Sequence, residues 1–343
     1  MSEPRLILVG NPHVIHVGAH FYKCAMDSGW ATSFLNSEEA FQGHTLTRRL
    51  NWWLRGRRPT HLREFSERVW QICREYGPNF LVSTGIAPIS DEALQRIGAL
   101  GVKRLNYLTD DPWNPHHKAP WFMRALPHYD HVFSPRRANL EDLRKLSCAD
   151  VSFLPFAYSP TVHFADPPAN EKERARFSSD VIFAGGADAD RLHHIEALLG
   201  EGLHVALYGG YWERHSATRK YARGHADPAT LRKAIGGSKV ALCLVRRANR
   251  DGHSMRTFEV AATGACMLTE DTEEHREIFG PEGEAVMYFA TTAEMIQKLH
   301  LLLGNPELRN RLARVARGRI VNGPNTYADR LAAMLNLVSE PVA

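Results

Sequence analysis

The chain has 343 residues, of which 44% are hydrophobic and 23% are charged, and its formal net charge is +4. This length predicts two domains of roughly 150 to 180 residues each, and the ordinary composition excludes long disordered segments and fibrous repeats. The small net charge and the lack of a nucleic-acid recognition motif exclude nucleic acid as an expected partner.

The cysteines and the apolar segments bear on the compartment of the protein. The five cysteines are odd in number and widely spaced, unlike a disulfide framework or a zinc site, so we expect reduced thiols. The longest apolar runs, such as VALCLV at 240–245, are shorter than the roughly 20 residues of a membrane-spanning helix. The N-terminal residues show no secretory signal pattern. These features predict a cytoplasmic location.

The first half of the chain alternates short apolar segments with helical segments, which is typical of a parallel sheet with crossover helices. We predict strands at 5–10, 79–85, 102–112 and 131–135, and helices at 17–28, 91–99 and 137–146.

The segment GNPHVIHVGAHFYK (10–23) begins at the end of the first strand and contains Gly18 and His20. Parallel sheets bind ligands beyond the carboxyl ends of their strands, so Gly18 and His20 are candidate ligand contacts. His13, His16 and His20 match no established zinc spacing, so we expect no bound metal.

Residues 46–63 (LTRRLNWWLRGRRPTHLR) contain no acidic residue, and Leu46, Leu50, Trp53 and Leu54 recur at the spacing of one helix face. A basic amphipathic helix of this kind suits a membrane interface or an acidic acceptor. The favoured alternative is a helix that packs on the core and leaves a basic face in solvent. A peripheral contact with the inner face of the membrane therefore stays open.

Two adjacent acids, Asp110 and Asp111, lie in TDDPWNPHH (109–117), where a predicted strand ends. If the reaction inverts configuration, one of these carboxylates could act as the general base for a substrate hydroxyl. The alternative is that an aspartate before a proline caps a helix.

Prolines in VSFLPFAYSP and in the following FADPPANEKERARF indicate a linker, with a boundary near 157–175. We assign 1–165 to a first domain. The alternation then repeats, with strands at 179–186, 204–210, 239–245 and 265–270 and helices at 190–199, 228–236 and from 255. Residues 166–325 form a second domain, and 326–343 a final helix that could pack back on the first.

Two turns in the second half follow predicted strands. In VIFAGGADADR (181–191), Gly185 and Gly186 would let backbone approach a phosphate, with Arg191 nearby, although an ordinary strand-to-helix turn is the alternative. In YGGYWERH, Trp212 is a candidate platform or lid for a base, and its alternative is a surface aromatic residue.

The segment NRDGHSMRTFEVAATGACMLTE (249–270) predicts a helix from Met255 to about Ala262, capped by Ser254 and stopped by Gly264. Its Arg256 and Glu259 are spaced i, i+3, so a structural salt bridge is one interpretation.

The same segment resembles the two-acid pattern of retaining GT-B glycosyltransferases, in which seven residues separate two glutamates and a small-residue turn with glycine follows. Asp251 takes the place of the first glutamate and Glu259 that of the second. The run from Ser254 to Phe279, with EAVMYF and TYADRLAAML, is similar to the C-terminal domain of CgeB-like (spore maturation protein type) glycosyltransferases, and YLTDDPWN is similar to their N-terminal half.

The resemblance implies a GT-B fold, in which two Rossmann-like, doubly wound parallel-sheet domains face each other across a cleft. It implies transfer of a sugar from a nucleotide-diphosphate sugar to a glycan, lipid-linked or protein acceptor, as in polysaccharide biosynthesis. The reaction would use no metal or other cofactor, would retain configuration, and would be of the hexosyltransferase type.

The resemblance also implies roles for individual residues. Glu259 would accept hydrogen bonds from the donor ribose, and Asp251 would lie nearer the transferred sugar. The start of the helix would hold the diphosphate, since its N–H groups attract anions. The remaining implied donor contacts are Gly18, His20, Gly185, Gly186, Arg191, Trp212, Gly224, His225, Ser254, Arg256 and Thr257.

Other functions remain compatible with the pattern. A nucleotide-sugar epimerase or a phosphorylase shares the architecture, and a non-catalytic sugar-nucleotide binding protein would need Glu259 but neither Asp110 nor Asp251. The triplet DAD at 188–190 matches the metal-binding motif of GT-A enzymes, but two similar halves argue against that fold. No G-x-G-x-x-G follows either opening strand, which argues against a dehydrogenase.

Overall fold

The structure is a computed structural model that describes residues 5–339. The chain forms two compact units. One comprises the residues up to Pro155, the short segment Ala248–Arg250 and the residues from Tyr327 onward. The other comprises Phe156–Arg247 and Asp251–Thr326. Within 5–339, no helix is long and apolar enough to cross a membrane.

The first unit is a parallel six-stranded sheet with helices on both faces. Its strands are β1 (Arg5–Gly10), β2 (Ala31–Asn36), β3 (Phe80–Thr84), β4 (Lys103–Tyr107), β5 (His131–Ser134) and β6 (Asp150–Phe153), in the order β2-β1-β3-β4-β5-β6. Its helices are α1 (Val17–Asp27), α2 (Thr45–Leu54), α3 (Leu62–Tyr76), α4 (Asp91–Gly98), α5 (Pro120–Ala125), α6 (Arg137–Lys145) and, from the end of the chain, α14 (Tyr327–Ser339).

The second unit repeats this architecture. Its strands are β7 (Ser179–Ala184), β8 (Val205–Tyr208), β9 (Ala222–Gly224), β10 (Ser238–Cys243), β11 (Met267–Glu270) and β12 (Met287–Phe289), in the order β12-β11-β10-β7-β8-β9. Its helices are α7 (Glu171–Phe177), α8 (Ala189–Gly200), α9 (Pro228–Gly237), α10 (Met255–Thr263), α11 (Glu273–Phe279), α12 (Thr292–Gly304) and α13 (Pro306–Val321).

The central strands are apolar because both faces of each sheet are covered. Leu6 to Val9 of β1 and Val205 to Leu207 of β8 are buried almost completely, which a parallel sheet between two helical layers requires. The first strand of each unit lies inside its sheet, with β1 between β2 and β3 and β7 between β8 and β10. The strand order therefore reverses beside β1 and beside β7, and ligands of such sheets bind at this position.

The predicted central strands and their crossover helices are confirmed, whereas the edge strands β2, β6, β9 and β12 were not predicted. The predicted linker is partly wrong, because β6 and α7 lie within it. The segment between them is held in the second unit, where Lys233 of α9 pairs with Asp166 at 2.9 Å and with Glu173 at 3.2 Å.

The basic segment 46–63 is two helices with a break, not one. α2 ends at Leu54, and Gly56 and Arg57 both adopt left-handed backbone conformations with φ of 59° and 58° before α3 begins at Leu62. The favoured core-packed alternative is wrong for α2, because Asn51 is its only buried side chain.

Candidate functional site

A cluster of arginines and acids lies at the carboxyl ends of β7 and β10 in the second unit. Asp188 caps α8 by accepting a hydrogen bond from the Arg191 backbone N–H at 3.0 Å. Its carboxylate lies 3.5 Å from the Arg191 guanidinium and 3.6 Å from that of Arg246. Arg191 also donates to the Gly186 carbonyl at 3.1 Å. The switch point of this sheet is therefore lined by cationic side chains.

Burial sets the character of this cluster. Burial, followed by repulsion from Arg246, lowers the pKa of Arg191, and its Nε has no hydrogen-bond partner within the described part of the chain. The Arg246 and Arg247 side chains remain partly exposed. Guanidinium groups in such a setting suit phosphate oxygens. Arg246 and Arg247 were missed, although two arginines directly after a buried strand are a readable signal.

Two acids complete the cluster. Glu270, at the end of β11, accepts from the Val245 N–H at 2.6 Å and lies 3.3 Å from Arg247. Burial raises the pKa of the Glu270 carboxyl. Asp251 accepts from the Arg246 N–H at 3.3 Å. The structure thus places predicted Asp251 beside the arginines that follow β10.

The predicted boundaries of α10 are confirmed, with Ser254 as N-cap and Gly264 as a left-handed C-cap at φ 91°. The Ser254 N–H donates to Thr257 Oγ1 at 3.1 Å, and this hydroxyl also lies 3.0 Å from His275 Nε2. Thr257 is fully buried. The direct diphosphate contact predicted for the Thr257 side chain does not fit this position, and its hydroxyl instead fixes the start of the helix.

Glu259 is 3% exposed and pairs with Arg256 on the same helix. His163 Nε2 lies 3.5 Å from its other carboxylate oxygen, and His163 Nδ1 accepts from the Ser159 N–H at 3.0 Å. The structural salt bridge considered for Arg256 and Glu259 is therefore present, and Glu259 has to give up a contact with Arg256 or His163 before it can accept from a donor ribose. His163 was missed, because nothing in its local sequence points to a helix almost a hundred residues later.

A cavity of about 490 Å³ lies at the ends of β8 and β9, and its lining includes predicted Gly224 and His225. Tyr211 lines it too, 52% exposed, with the Arg214 guanidinium 4.3 Å from its ring centre. An exposed aromatic ring beside a cavity offers a stacking surface.

The platform role predicted for Trp212 is wrong, because its side chain is 0% exposed. Its indole N–H donates to the Gly185 carbonyl at 2.7 Å, and its ring packs on Phe183. The exposed aromatic residue is its neighbour, Tyr211. Gly185 also packs against the next loop, since a Cβ at Gly209 would lie 2.4 Å from the Gly185 carbonyl oxygen. The turn at Gly185 and Gly186 therefore packs against Trp212 and Gly209, as in the ordinary strand-to-helix turn considered for it.

In the first unit, Gly18 lets α1 approach the end of β1, since a Cβ there would lie 3.0 Å from the Gly10 Cα. His20 is buried and stacks on Tyr327 of α14, with ring centres 4.8 Å apart. Burial lowers the pKa of His20 to about 4. The donor contact predicted for the His20 side chain does not fit this buried position.

Asp110 and Asp111 have different surroundings. The Asp111 carboxylate is 1% exposed and accepts from Arg250 Nε at 2.6 Å, from the Trp113 N–H at 2.9 Å and from Asn139 at 2.9 Å. A carboxylate engaged in this way does not fit the general-base role considered for it. Asp110 is 38% exposed, and His117 Nε2 lies 3.8 Å away. Of the two acids, Asp110 is the one accessible to a substrate.

The chain is similar to known proteins in sequence and in structure. Residues 190–336 match the sequence model of the glycosyl transferase-like family. No curated protein sequence matches the chain. Sucrose-phosphate synthase from Thermosynechococcus elongatus superimposes with a TM-score of 0.67 at 12% identity, over 97% of this chain and 98% of that one. The superposition covers nearly the whole chain, including both parallel six-stranded sheets. The fold is GT-B.

Two further GT-B structures also match this chain over nearly its whole length. A UDP-forming α,α-trehalose-phosphate synthase from Burkholderia xenovorans has a TM-score of 0.65 at 11% identity, over 99% of this chain and 100% of that one. HepE from Anabaena, in complex with UDP-glucose, has a TM-score of 0.65 at 11% identity, over 97% and 99%. The family match and these GT-B neighbours together support a glycosyltransferase.

Proposed function

We propose that this chain is a glycosyltransferase that transfers a sugar from a nucleotide-diphosphate sugar to an acceptor. The carrying observation is the match of residues 190–336 to the glycosyl transferase-like family, because this span contains α10 and the loop with Asp251. A similar structure that holds UDP-glucose supports the choice of donor.

The donor site that we propose follows the geometry of the second unit. Arg191, Arg246 and Arg247 would neutralise the diphosphate together with the start of α10, because guanidinium groups and helix N-termini both attract phosphate. This arrangement would replace a metal ion. The cavity beside Tyr211, Gly224 and His225 would take the base.

The finer parts of the proposal rest on the family resemblance. Glu259 would hold the donor ribose, Asp251 would act near the transferred sugar, and Asp110 would serve the acceptor side. The enzyme would be a retaining, CgeB-like hexosyltransferase of the cytoplasm, and its acceptor would be a glycan, a lipid-linked sugar or a protein.

The test is product analysis with UDP, GDP, TDP and CDP sugars after a thermal-shift screen, since a ligand at a hundred times its dissociation constant adds about 2.7 kcal/mol of stability. We expect a nucleoside diphosphate and a glycosylated acceptor, with activity unchanged by EDTA. Release of a free or inverted sugar would instead identify an epimerase. Tight donor binding without turnover on any acceptor would identify a binding protein.

Kinetics of two variants test the assigned roles. Asp251→Asn should lower kcat more than donor affinity, whereas Glu259→Gln should raise the donor KM by about one to two orders of magnitude, because a charged hydrogen bond contributes roughly 1.5 to 3 kcal/mol. Glu196→Gln, on the exposed side of α8, is the matched control and should change neither constant. A reversed pattern for the two acids would refute these roles.

A further inference from the structure

The apolar side chains of α2 point to solvent. Leu46, Leu50, Trp53 and Leu54 are 68%, 47%, 79% and 75% exposed. They recur at i, i+4, i+7 and i+8, so they form one continuous stripe along the helix. The buried side chain of α2 is Asn51, which lies on another side of the helix. The amphipathic pattern is therefore reversed relative to a helix that packs on a protein core.

The start of α2 has a local cap, and the residues after its end are fixed to other parts of the first unit. At the start, His44 caps the helix by accepting from the Leu46 N–H at 3.4 Å. After the end, Arg57 donates to the Lys118 carbonyl at 2.8 Å, and Trp121 donates to the Arg57 carbonyl at 3.3 Å. A Cβ at Gly56 would lie 2.6 Å from Pro120, so the break itself packs tightly.

The charged side chains of segment 43–63, which contains the stripe, are all basic. Arg48, Arg49, Arg55 and Arg58 are exposed, and residues 43–63 contain no aspartate or glutamate. At 3.6 residues per turn, Arg49 lies beside the stripe, whereas Arg48 and Arg55 lie on the opposite, polar face. An arginine-rich polar face opposite an apolar face with tryptophan is typical of helices that lie in the interface of an anionic bilayer.

We propose that α2 is a membrane-docking helix, which lies in the plane of an anionic lipid surface with Leu46, Leu50, Trp53 and Leu54 in the boundary region of the headgroups. Arg49, beside the stripe, contacts the lipid phosphates, and Arg48 and Arg55 on the polar face add attraction to the anionic surface. This docking goes beyond the proposed sugar transfer and does not depend on it.

Charge distinguishes a bilayer from a second copy of the chain as the occupant. In a symmetric dimer through this face, the same patch of both subunits meets, so the arginines of one copy would oppose those of the other without an acid to compensate them. An anionic lipid surface pairs with all of them, and each arginine near such a surface adds to the attraction.

Co-sedimentation with lipid vesicles tests the proposal. The full chain is mixed with phosphatidylcholine vesicles and with mixed phosphatidylcholine and phosphatidylglycerol vesicles, at low and high salt. We expect binding to the anionic vesicles that weakens as salt rises, because salt screens the arginine charges. Trp53→Ser with Leu54→Ser, and separately Arg48→Glu with Arg49→Glu, should each weaken binding by more than about tenfold.

Matched controls carry the same changes elsewhere. Leu301→Ser with Leu337→Ser removes two exposed leucines on other helices, and Arg74→Glu with Arg144→Glu reverses two exposed arginines. Both controls should bind as the unchanged chain does. The proposal would be overturned if the wild-type protein stayed in solution with anionic vesicles. It would also be overturned if the control variants lost as much vesicle binding as the α2 variants. Self-association abolished by the Trp53 and Leu54 changes, without vesicle binding, would show that a second copy covers the face.

Binding of nucleotide sugars, measured without vesicles, separates this proposal from the proposed function. The α2 variants should keep donor binding, because none of the altered residues belongs to the assigned donor site. An α2 variant that loses vesicle binding but still binds the donor would support the docking helix without bearing on sugar transfer. Wild-type protein that binds vesicles but no nucleotide sugar would refute only the transferase proposal.

Discussion

Asp110 and Asp111 show how two identical neighbouring side chains acquire different surroundings. The Asp111 carboxylate is buried and has three side-chain or backbone donors, whereas Asp110 lies at the surface beside His117. Hydrogen bonding with Asp111, the largest effect, raises the pKa of Arg250. The two residues form an ion pair in which the Asp111 carboxylate is buried, whereas the Arg250 side chain is 39% exposed and also contacts Asp142 at 2.7 Å.

Alanine substitutions should separate these two roles. Asp111→Ala should lower the free energy of unfolding by about 1 to 3 kcal/mol, because it leaves the Trp113 N–H and the buried Asn139 amide without their acceptor. Asp110→Ala should change it by less than about 0.5 kcal/mol, as is usual for exposed positions, and should lower turnover instead. Urea denaturation and initial rates measure these effects. Equal stability of the two variants would contradict the assignment.

Among the elements of the second unit, the turns after β7 and β8 depend on each other. Gly209 has φ of 126°, and its N–H donates to the Gly224 carbonyl at 2.8 Å. The Ala187 N–H donates to the Gly210 carbonyl at 3.0 Å, and Trp212 binds the Gly185 carbonyl. The cavity beside Tyr211 is therefore positioned by backbone contacts between these turns.

Gly209→Ala should disrupt this packing. The new Cβ would lie 2.4 Å from the Gly185 carbonyl oxygen and the backbone would be strained, so we expect a loss of roughly 2 to 4 kcal/mol in stability. Gly202→Ala is the matched control, because Gly202 also has a positive φ of 72° but has nothing within 4 Å of the added Cβ. It should cost only about 1 kcal/mol. Thermal or urea denaturation compares them, and equal losses would show that strain alone matters.

On the scale of the whole molecule, each unit buries one strongly shifted histidine. Burial lowers the pKa of His20 in the first unit and of His275 in the second to about 4, from an ordinary value of 6.5. The unfolded chain therefore binds these protons at higher pH than the folded chain. The stabilisation is complete above about pH 6.5 and is lost as the pH falls toward 4.

Acid denaturation should show this dependence. Each histidine should account for about 3 kcal/mol of lost stability between pH 6.5 and 4, since one unit of pKa shift corresponds to about 1.4 kcal/mol. His275→Gln should flatten the pH dependence of the free energy of unfolding, measured by urea denaturation at several pH values. His193→Gln, at an exposed position on α8, is the control. An unchanged slope for His275→Gln would refute this explanation.

The sequence by itself determined the two parallel sheets, most of their crossover helices and the limits of α10. These depend on apolar periodicity and on caps such as Ser254 and Gly264, which are properties of neighbouring residues. Short edge strands such as β9 were not predicted, because they bury too few side chains to produce a recognisable apolar pattern.

Only the tertiary structure decided which candidate side chains are accessible. Asp111 meets Arg250 across 139 positions of sequence, Glu259 meets His163, and Trp212 turns into the core while Tyr211 turns out. It also decided that the apolar face of α2 points to solvent. Local periodicity identifies the apolar face of a helix, but the side that packs inward depends on contacts with residues distant in sequence.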